Sequence, residues 1–396
     1  MSRDNPEAAK RMFDQPQPHS LLGYHRQLAP AASLKVSPLC LGAMNLGEAW
    51  KYFMGAVNKT VAFEILDCFY EHGGNFIDTA SDYQDGESEA FVGEWMAARG
   101  NRDEMVISTK YGTGWKKHLK GDVIQTNFGG LNAKNLRHSL DASLRKLQTD
   151  FVDILYVHWW DYAASIPEIM HALNDVVAQG KVLYLGISAT PAWIVARANE
   201  YARCHNLRPF VIYQGRWSAA CRDLEREIIP MCRAEGMAIG PWGVMEGGKF
   251  KTKEEREAGS VRGRLYPGSE AELRVSEALE AIAQRKQARL TDIALAYVMH
   301  KTPYVFPVVG ARTPEQLKQN IEALSVSLGR HDIEEIESVA AFDRGFPYNL
   351  LMLDNQAQPE DISGHLSYND VPQNRAYGHV RTVPYPQALF GGPLEN

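Results

Sequence analysis

Four side chains with complementary chemistry stand at or just beyond the ends of predicted β-strands. Asp78 and Tyr83 lie in FIDTASDY (76–83), Lys110 ends VISTK, and His158 ends DILYVH. A phenol with a pKa of about 10 is a poor acid at neutral pH, unless a nearby ammonium stabilises its phenolate. The pattern predicts protonation of a carbonyl oxygen by Tyr83. Lys110, held by Asp78, would lower the pKa of Tyr83, and neutral His158 would orient the carbonyl by a hydrogen bond.

Each of the four residues also has an ordinary structural interpretation. An aspartate at a strand end often caps a helix, a lysine there is usually solvated, a histidine can satisfy a core hydrogen bond, and Tyr83 could pack at a rim. Their joint placement at the ends of the second, third and fourth strands favours the functional interpretation. Neighbouring strands lie about 4.8 Å apart, so these side chains can converge on one point.

The chain alternates between short apolar runs and segments with helical periodicity. Strands are predicted at 37–41, 75–79, 105–110, 153–158, 182–188, 210–214, 237–241 and 305–309. Runs such as DILYV suit a parallel sheet that is covered on both faces. Eight strands alternating with helices predict an α/β fold, a (β/α)8 TIM barrel. The alternative is an open doubly wound sheet, although no strand leads into the GxGxxG turn of that fold.

Three segments interrupt this alternation, namely 111–132, 243–268 and the residues from 345 onward. We expect residues 1–344 to form one barrel domain whose first ~30 residues are an extension. The two long loops would lie at the C-terminal face of the strands, where lids and specificity loops occur. Residues 345–396 are expected to be a tail that covers the active site. Disordered segments or packing extensions remain the alternatives for all three.

Composition excludes several classes of protein. The 396 residues carry a formal net charge of −6 and are 45% hydrophobic, which argues against a nucleic-acid surface. No apolar run approaches the ~20 residues that cross a bilayer, and the polar N-terminus lacks the apolar core of a signal peptide. Five scattered cysteines without a CxxC pair indicate free thiols. We therefore expect a cytoplasmic protein without a metal site.

None of the four side chains can donate a hydride, so the chemistry requires a nicotinamide cofactor. Trp217 could offer a flat face to the nicotinamide, and Gln214 could bind its carboxamide. In VVGARTPEQ, Thr313 fits a helix N-cap, Pro314 the first helical position and Gln316 the third. Arg312 would then stand at a helix N-terminus, which favours a 2′-phosphate and thus NADP(H). A surface arginine beside a capped helix is the alternative.

At this point the sequence resembles the aldo-keto reductase family, from about residue 39 to residue 342. FIDTASDY, STK and YVH match the family's catalytic blocks, which implies Asp78, Tyr83, Lys110 and His158 as catalytic residues. GISATP, YQGRW, PWGVMEGGKF and VVGAR resemble its cofactor segments in the same order. The cofactor contacts that this resemblance implies are Asp78, Ser188, Gln214, Trp217, Gly247, Gly248, Lys249, Gly310, Arg312, Gln316 and Asn320.

HWWDY, YQGRWSA and YVFPVVGARTPEQLKQNIEAL are similar to the fungal aryl-alcohol dehydrogenase and norsolorinic acid reductase branch of the family. That branch implies NADPH-dependent reduction of aromatic or polyketide-derived aldehydes and ketones in secondary metabolism. One departure concerns the cofactor. The family usually has Ser-Asn after the fifth strand to bind the carboxamide, whereas here Ser188 is followed by Ala189.

Two other functions compete with that of a carbonyl reductase acting on a small molecule. A non-catalytic nicotinamide-binding barrel, such as a channel subunit, would not need Tyr83 and Lys110 together. A metal-dependent barrel hydrolase would need a His-x-His pair on the first strand, and no such pair occurs in the chain. The oligomeric state, monomer or dimer, is left open.

Overall fold

The computed structural model describes residues 14–257 and 269–351, together with Val371 and Asn374. In that part of the chain, eight parallel strands follow one another around a barrel. They are β3 (Cys40–Gly42), β4 (Phe76–Asp78), β5 (Val106–Tyr111), β6 (Val152–Val157), β7 (Val182–Ser188), β8 (Phe210–Arg216), β9 (Ala238–Trp242) and β10 (Val308–Val309). A bridge between Ile239 and Val305 joins the first and last edges of the sheet. The predicted (β/α)8 barrel is confirmed.

The barrel strands are covered on both faces, as their apolar sequences predict. Every residue of β5 and of β6 is buried, which suits strands with barrel interior on one side and helices on the other. The strand 182–188 was predicted with its observed bounds. The last strand is shorter than predicted, because Pro307 has no N–H to donate to a ladder.

Helices pack around the barrel in the order of the chain. They are α1 (Lys51–Met54), α2 (Lys59–Glu71), α3 (Glu87–Arg99), α4 (Ala133–Leu147), α5 (Ile166–Ala178), α6 (Ala192–Cys204), α7 (Ile228–Glu235), α8 (Lys253–Glu257), α9 (Glu270–Lys286), α10 (Leu290–Lys301), α11 (Pro314–Glu322), α12 (Arg330–Ser338) and α13 (Tyr348–Leu351). Several of these helices begin directly after a residue whose side chain caps the first turn. Asn58, Asn132 and Ser165 each accept a hydrogen bond from a backbone N–H in the first turn of the helix that follows.

A β-hairpin that was not predicted precedes the barrel. Its strands, β1 (Arg26–Ala29) and β2 (Ala32–Val36), pair antiparallel. Leu28 and Val36 join a buried cluster with Phe76 and Phe306 from the barrel strands. Because Phe76 begins β4, the hairpin packs at the N-terminal end of the barrel, opposite the ends that carry the four candidate residues.

Only part of the long segments can be described. The loop 111–132 is described throughout and contains a 3-10 turn, Lys117–Leu119. Residues 258–268 of the second loop lie outside the described residues, as do most of those beyond Leu351. The domain division and the covering role of residues 345–396 therefore stay predictions. Among the helices that the structure describes, none has the length and apolar content needed to cross a bilayer.

Candidate active site

Asp78 and Lys110 form a buried ion pair at the C-terminal ends of two adjacent strands. Asp78 is the last residue of β4 and Lys110 lies near the end of β5, and both side chains are almost fully buried. Lys110 Nζ donates to Asp78 Oδ2 at 2.5 Å, to the Thr79 carbonyl at 2.8 Å and to Tyr83 Oη at 3.3 Å. The ammonium therefore lies between the carboxylate and the phenol, as the sequence predicted.

A strained turn holds the phenol in place. Tyr83 begins the 3-10 turn Tyr83–Gly86, in which Gln84 and Asp85 have φ of 51° and 54°. Left-handed backbone is unfavourable for residues other than glycine, so neighbouring contacts must maintain it. Gln84 accepts from Trp50 N at 2.7 Å and donates to the Met44 carbonyl at 3.0 Å, and Asp85 accepts from Trp50 Nε1 at 3.1 Å. The turn thus joins Tyr83 to the loop that follows β3.

His158 lies directly beyond β6 and faces the phenol. Its ring centroid is 5.9 Å from that of Tyr83, in an edge-on arrangement. Nδ1 of His158 lies 2.9 Å from Thr113 Oγ1. Burial, followed by repulsion from Lys110 and Lys117, lowers the pKa of His158 to about 3. The imidazole is therefore neutral at physiological pH, and one of its nitrogens can donate a hydrogen bond.

The pKa values of Tyr83 and Lys110 show which effects compete at this site. Burial raises the pKa of Tyr83, and the charge of Lys110 lowers it by a smaller amount. Lys110 thus acts in the predicted direction, but desolvation of the phenolate outweighs the ammonium, so the pKa of Tyr83 lies above its ordinary value. For Lys110, burial opposes the charge, but the nearby Asp78 reverses that effect and the pKa lies above its ordinary value.

The next two strands bring polar groups to the same end of the barrel. Ser188 ends β7 and is paired in register with Gln214 of β8. Gln214 donates its side-chain amide to Asp78 Oδ1 at 3.1 Å, and Ser108 donates to the same oxygen at 2.8 Å. Both Ser188 and Gln214 are almost fully buried. Asp78 therefore links the Lys110 side of the site to the predicted carboxamide side.

The segments after β9 and β10 carry the remaining predicted cofactor residues. Gly247 and Gly248 have φ of 62° and 87°, in the 3-10 turn Glu246–Gly248. Thr313 caps α11 by accepting from Gln316 N, as predicted, while the Gln316 side chain accepts from Arg312 N at 2.9 Å. The side chain of Arg312 is exposed beside this helix N-terminus.

The sequence from residue 38 to residue 341 matches the model of the Aldo/keto reductase family. The chain belongs to the aldo/keto reductase family. It is 53% identical to norsolorinic acid reductase B of Dothistroma septosporum, over 92% of this chain and 94% of that protein. It is 54% identical to an aryl-alcohol dehydrogenase of Pestalotiopsis microspora (93% and 97% covered). It is 48% identical to the aryl-alcohol dehydrogenase [NADP(+)] of Phanerodontia chrysosporium (94% and 97% covered).

The structure of this aldo/keto reductase corrects one of the predicted cofactor contacts. Trp217 is fully buried, and its indole N–H donates to Glu225 at 3.1 Å, so it offers no open face to a nicotinamide ring. Trp242, at the end of β9, is 41% exposed and pairs in register with Arg216. Trp242 was not among the predicted residues, although it lies one residue after the predicted strand end 241.

Other predicted cofactor residues of this aldo/keto reductase differ in how open they are. Lys249 Nζ forms an ion pair with Glu272 Oε1 at 2.9 Å, so its ammonium already has a partner. Asn320 is buried in α11, whereas Gly310 and Gln316 are exposed at the end of β10 and in the first turn of that helix. Gly310, Arg312 and Gln316 are therefore the accessible members of this part of the predicted set.

The loop 111–132 of this aldo/keto reductase supplies residues that the sequence reasoning did not single out. Thr113 Oγ1 forms a hydrogen bond with His158 Nδ1, and Lys117 Nζ donates to Asp82 Oδ2 at 2.9 Å. The ammonium of Lys117 also lies 4.5 Å from the centroid of the Trp50 ring. No spacing signal marks Thr113 or Lys117, because their contacts come from a loop folding back over the strand ends.

Proposed function

We propose that this aldo/keto reductase uses NADPH to reduce an aromatic or polyketide-derived aldehyde or ketone to the alcohol, with Tyr83 as the general acid. The observation that carries the proposal is the position of Lys110 Nζ, 2.5 Å from Asp78 and 3.3 Å from Tyr83 Oη in a buried setting. A buried ammonium beside a phenol stabilises the phenolate when the proton leaves.

Tyr83, Lys110 and His158 have different roles in the proposed proton transfer. Before reaction, burial keeps the proton on Tyr83, because its pKa is raised. When bound, the reduced nicotinamide supplies a hydride to the carbonyl carbon. As negative charge develops on the carbonyl oxygen, Tyr83 gives its proton to that oxygen, and Lys110 stabilises the phenolate that remains. His158, which is neutral because its pKa is about 3, donates a hydrogen bond that orients the carbonyl.

Asp78 acts through Lys110 and through Gln214. Its Oδ2 holds the ammonium and its Oδ1 accepts from the Gln214 amide. Gln214 also has a side-chain oxygen that can accept a hydrogen bond, and Ser188, which carries a hydroxyl, is its register partner on the adjacent strand end. An amide acceptor and a hydroxyl are the chemistry that a carboxamide group requires. We infer that this edge of the site binds the nicotinamide carboxamide.

The phosphate end of the cofactor is assigned to the segment around α11. An exposed arginine beside the N-terminus of a capped helix favours a dianion, since the helix dipole and the guanidinium act in the same direction. A related aryl-alcohol dehydrogenase carries NADP(+) in its name. We propose that Arg312 binds the 2′-phosphate, with Gly310 and Gln316 adjacent, and that Gly247 and Gly248 allow close approach of the backbone to the pyrophosphate.

The aromatic substrate class rests on the surroundings of Tyr83 and on the relatives. The Trp50 ring lies edge-on to Tyr83 with centroids 6.3 Å apart, and Trp159, next to His158, is 42% exposed. Flat indole surfaces beside the reacting phenol suit an aromatic carbonyl compound. The names of the similar proteins, norsolorinic acid reductase and aryl-alcohol dehydrogenase, point to the same class.

The purified protein is expected to oxidise NADPH when a substituted benzaldehyde is added. Tyr83→Phe should lower kcat by about 10³-fold, the contribution of a general acid, while fluorescence titration shows unchanged NADPH binding. Tyr52→Phe is the matched control, because Tyr52 is 95% exposed. Near-normal turnover by Tyr83→Phe would make the acid assignment wrong. Cofactor binding without turnover in the unaltered protein, over a panel of carbonyl compounds, would favour the non-catalytic barrel instead.

A further inference from the structure

The contact between Thr113 and His158 is built into the ends of two paired strands. Thr113 stands two residues beyond β5, and His158 one residue beyond β6. The His158 amide donates to the Tyr111 carbonyl at 3.0 Å, which continues the pairing of the two strands. Thr113 is almost fully buried, and its Oγ1 lies 2.9 Å from His158 Nδ1. The paired strand ends therefore hold Thr113 next to His158.

The direction of that hydrogen bond decides which ring nitrogen carries the proton. A neutral imidazole has one N–H, and a threonine hydroxyl can either donate or accept. If Nδ1 held the proton, Thr113 would accept it, and Nε2 could not donate to a carbonyl oxygen. We propose that Thr113 is a positioning residue that donates its O–H to Nδ1 and thereby keeps the proton of His158 on Nε2. Its role in catalysis rests on the proposed function.

A second group near Nδ1 favours the opposite tautomer. Asp82 is almost fully buried, and its Oδ1 lies 4.0 Å from His158 Nδ1 without a hydrogen-bond partner among the described residues. A carboxylate only accepts, so Asp82 attracts a proton to Nδ1. Lys117 binds the other oxygen of Asp82 and weakens this attraction. With Thr113 removed, Asp82 would still attract a proton to Nδ1, and the tautomer would shift.

The experiment reads the tautomer directly, in the full chain without substrate. Protein with ¹⁵N-labelled histidine is studied by long-range ¹H–¹⁵N correlation spectra, which distinguish an Nε2–H imidazole from an Nδ1–H imidazole. The signals of His158 are identified by their loss in His158→Asn. We expect Nε2–H in the unaltered protein and a majority of Nδ1–H in Thr113→Val. The kcat/KM for a benzaldehyde should fall about tenfold in that variant, as expected when one hydrogen bond is lost.

Two variants test whether the hydroxyl is responsible. Thr113→Ser keeps the donor and should keep both the Nε2–H tautomer and a kcat/KM close to normal. Thr126→Val makes the same substitution at an exposed position of the same loop and should change neither. If Thr113→Val folds poorly, as judged by circular dichroism, Thr113→Ala replaces it with a smaller side chain.

The results separate this inference from the proposed function. An Nδ1–H tautomer in the unaltered protein would overturn the inference. So would a Thr113→Val variant that keeps Nε2–H, even if its activity falls, because Thr113 would then have only a structural role. A shift of tautomer in Thr113→Val supports the inference. If that shift occurs in a protein that reduces no carbonyl compound, the proposed function fails while the hydrogen bond from Thr113 to Nδ1 stands.

Discussion

The two halves of the barrel rim differ in how completely they are assembled. At the ends of β4 and β5, Asp78 and Lys110 are buried and bonded to each other, and Tyr83 is held by a strained turn. At the ends of β7 and β10, Ala189 and Arg312 are exposed. The side chains of the first half hold one another in place, which is the fixed arrangement that electrostatic catalysis requires. The second half presents accessible groups, so we expect its substitutions to change binding more than chemistry.

Lys110→Met should produce the largest effect, because it removes the centre of the assembled half. Asp78 would remain buried without its cation, and breaking a buried pair costs about 3–5 kcal/mol of stability. The loss of the ammonium should also lower kcat by about 10³-fold or more. Urea unfolding and NADPH oxidation measure the two effects.

Lys181→Met is the matched control for this prediction. Lys181 pairs with Asp141 at 2.7 Å, but both side chains are about one-third exposed. A pair that open contributes about 0–1 kcal/mol, so stability and turnover should change little. Equal effects of the two substitutions would contradict the distinction between an assembled catalytic half and the rest of the barrel.

Arg312→Ala should show the opposite pattern, a change in binding with little change in chemistry. If Arg312 binds a 2′-phosphate, the dissociation constant of NADPH should rise about 10- to 100-fold, the range for a lost charge-assisted contact. The dissociation constant of NADH should change little. Fluorescence titration with both cofactors checks this.

Arg208→Ala serves as the control for Arg312→Ala, because Arg208 is exposed two residues before β8 and so lies at the opposite end of the barrel. It should alter the affinity for neither cofactor. Equal losses for NADPH and NADH in Arg312→Ala would show that Arg312 does not discriminate between them.

The same contrast explains what could be predicted from the sequence. The four catalytic candidates were predictable because each lies at or just beyond the end of a strand whose apolar run is easy to recognise, and parallel strands bring their ends together. The sequence did not predict the turn at Gln84 or the contact from Thr113 to His158, because both depend on a loop that returns to the strand ends. Strand alternation does not encode such returns.

Trp217 shows a second limit of sequence reasoning. The position after a strand was predicted correctly, but the side chain faces a buried polar network instead of the cofactor side. Glu225 accepts from Trp217 and also binds Arg222 at 2.7 Å, and Arg222 binds Glu337 at 2.9 Å. Acidic and basic residues far apart in the chain form this network, so no local pattern announces it. Stacking of Trp217 on a nicotinamide would require the network to move.

The pH dependence of stability gives a smaller test of the assembled half. The pKa of His158 is about 3 in the folded protein against an ordinary value of 6.5. As the pH falls below about 6.5, the unfolded chain takes up a proton that the folded protein refuses, so stability is lost from there down to about pH 3. At about pH 5, His158 should account for about 2 kcal/mol of this loss.

Urea unfolding at about pH 7 and about pH 5, where His158 should still be neutral when folded, measures this contribution. His158→Asn should reduce the loss of stability between the two values. Some loss should remain, since burial also lowers the pKa of His300 to about 4. His331→Asn, at a side chain that is 89% exposed, should leave the loss as it is in the unaltered protein. An unchanged loss in His158→Asn would show that His158 is not neutral in the folded protein.

Ala189→Asn should give the smallest effect and should make the open half more complete. Ala189 has a φ of 43°, a left-handed conformation that asparagine adopts more readily than alanine. The backbone N–H of Ala189 donates to the backbone carbonyl of Gln214 at 3.2 Å. A side chain at position 189 therefore starts close to the proposed carboxamide site. An asparagine there should lower the NADPH dissociation constant about fivefold, the effect of one added hydrogen bond.

Ala189→Gly is the control, because it relieves the same backbone strain without adding a donor. Both variants should therefore gain a little stability, while only Ala189→Asn should bind NADPH more tightly. If both variants bind NADPH more tightly, the effect comes from relief of backbone strain. If neither does, the carboxamide does not bind at the end of β7.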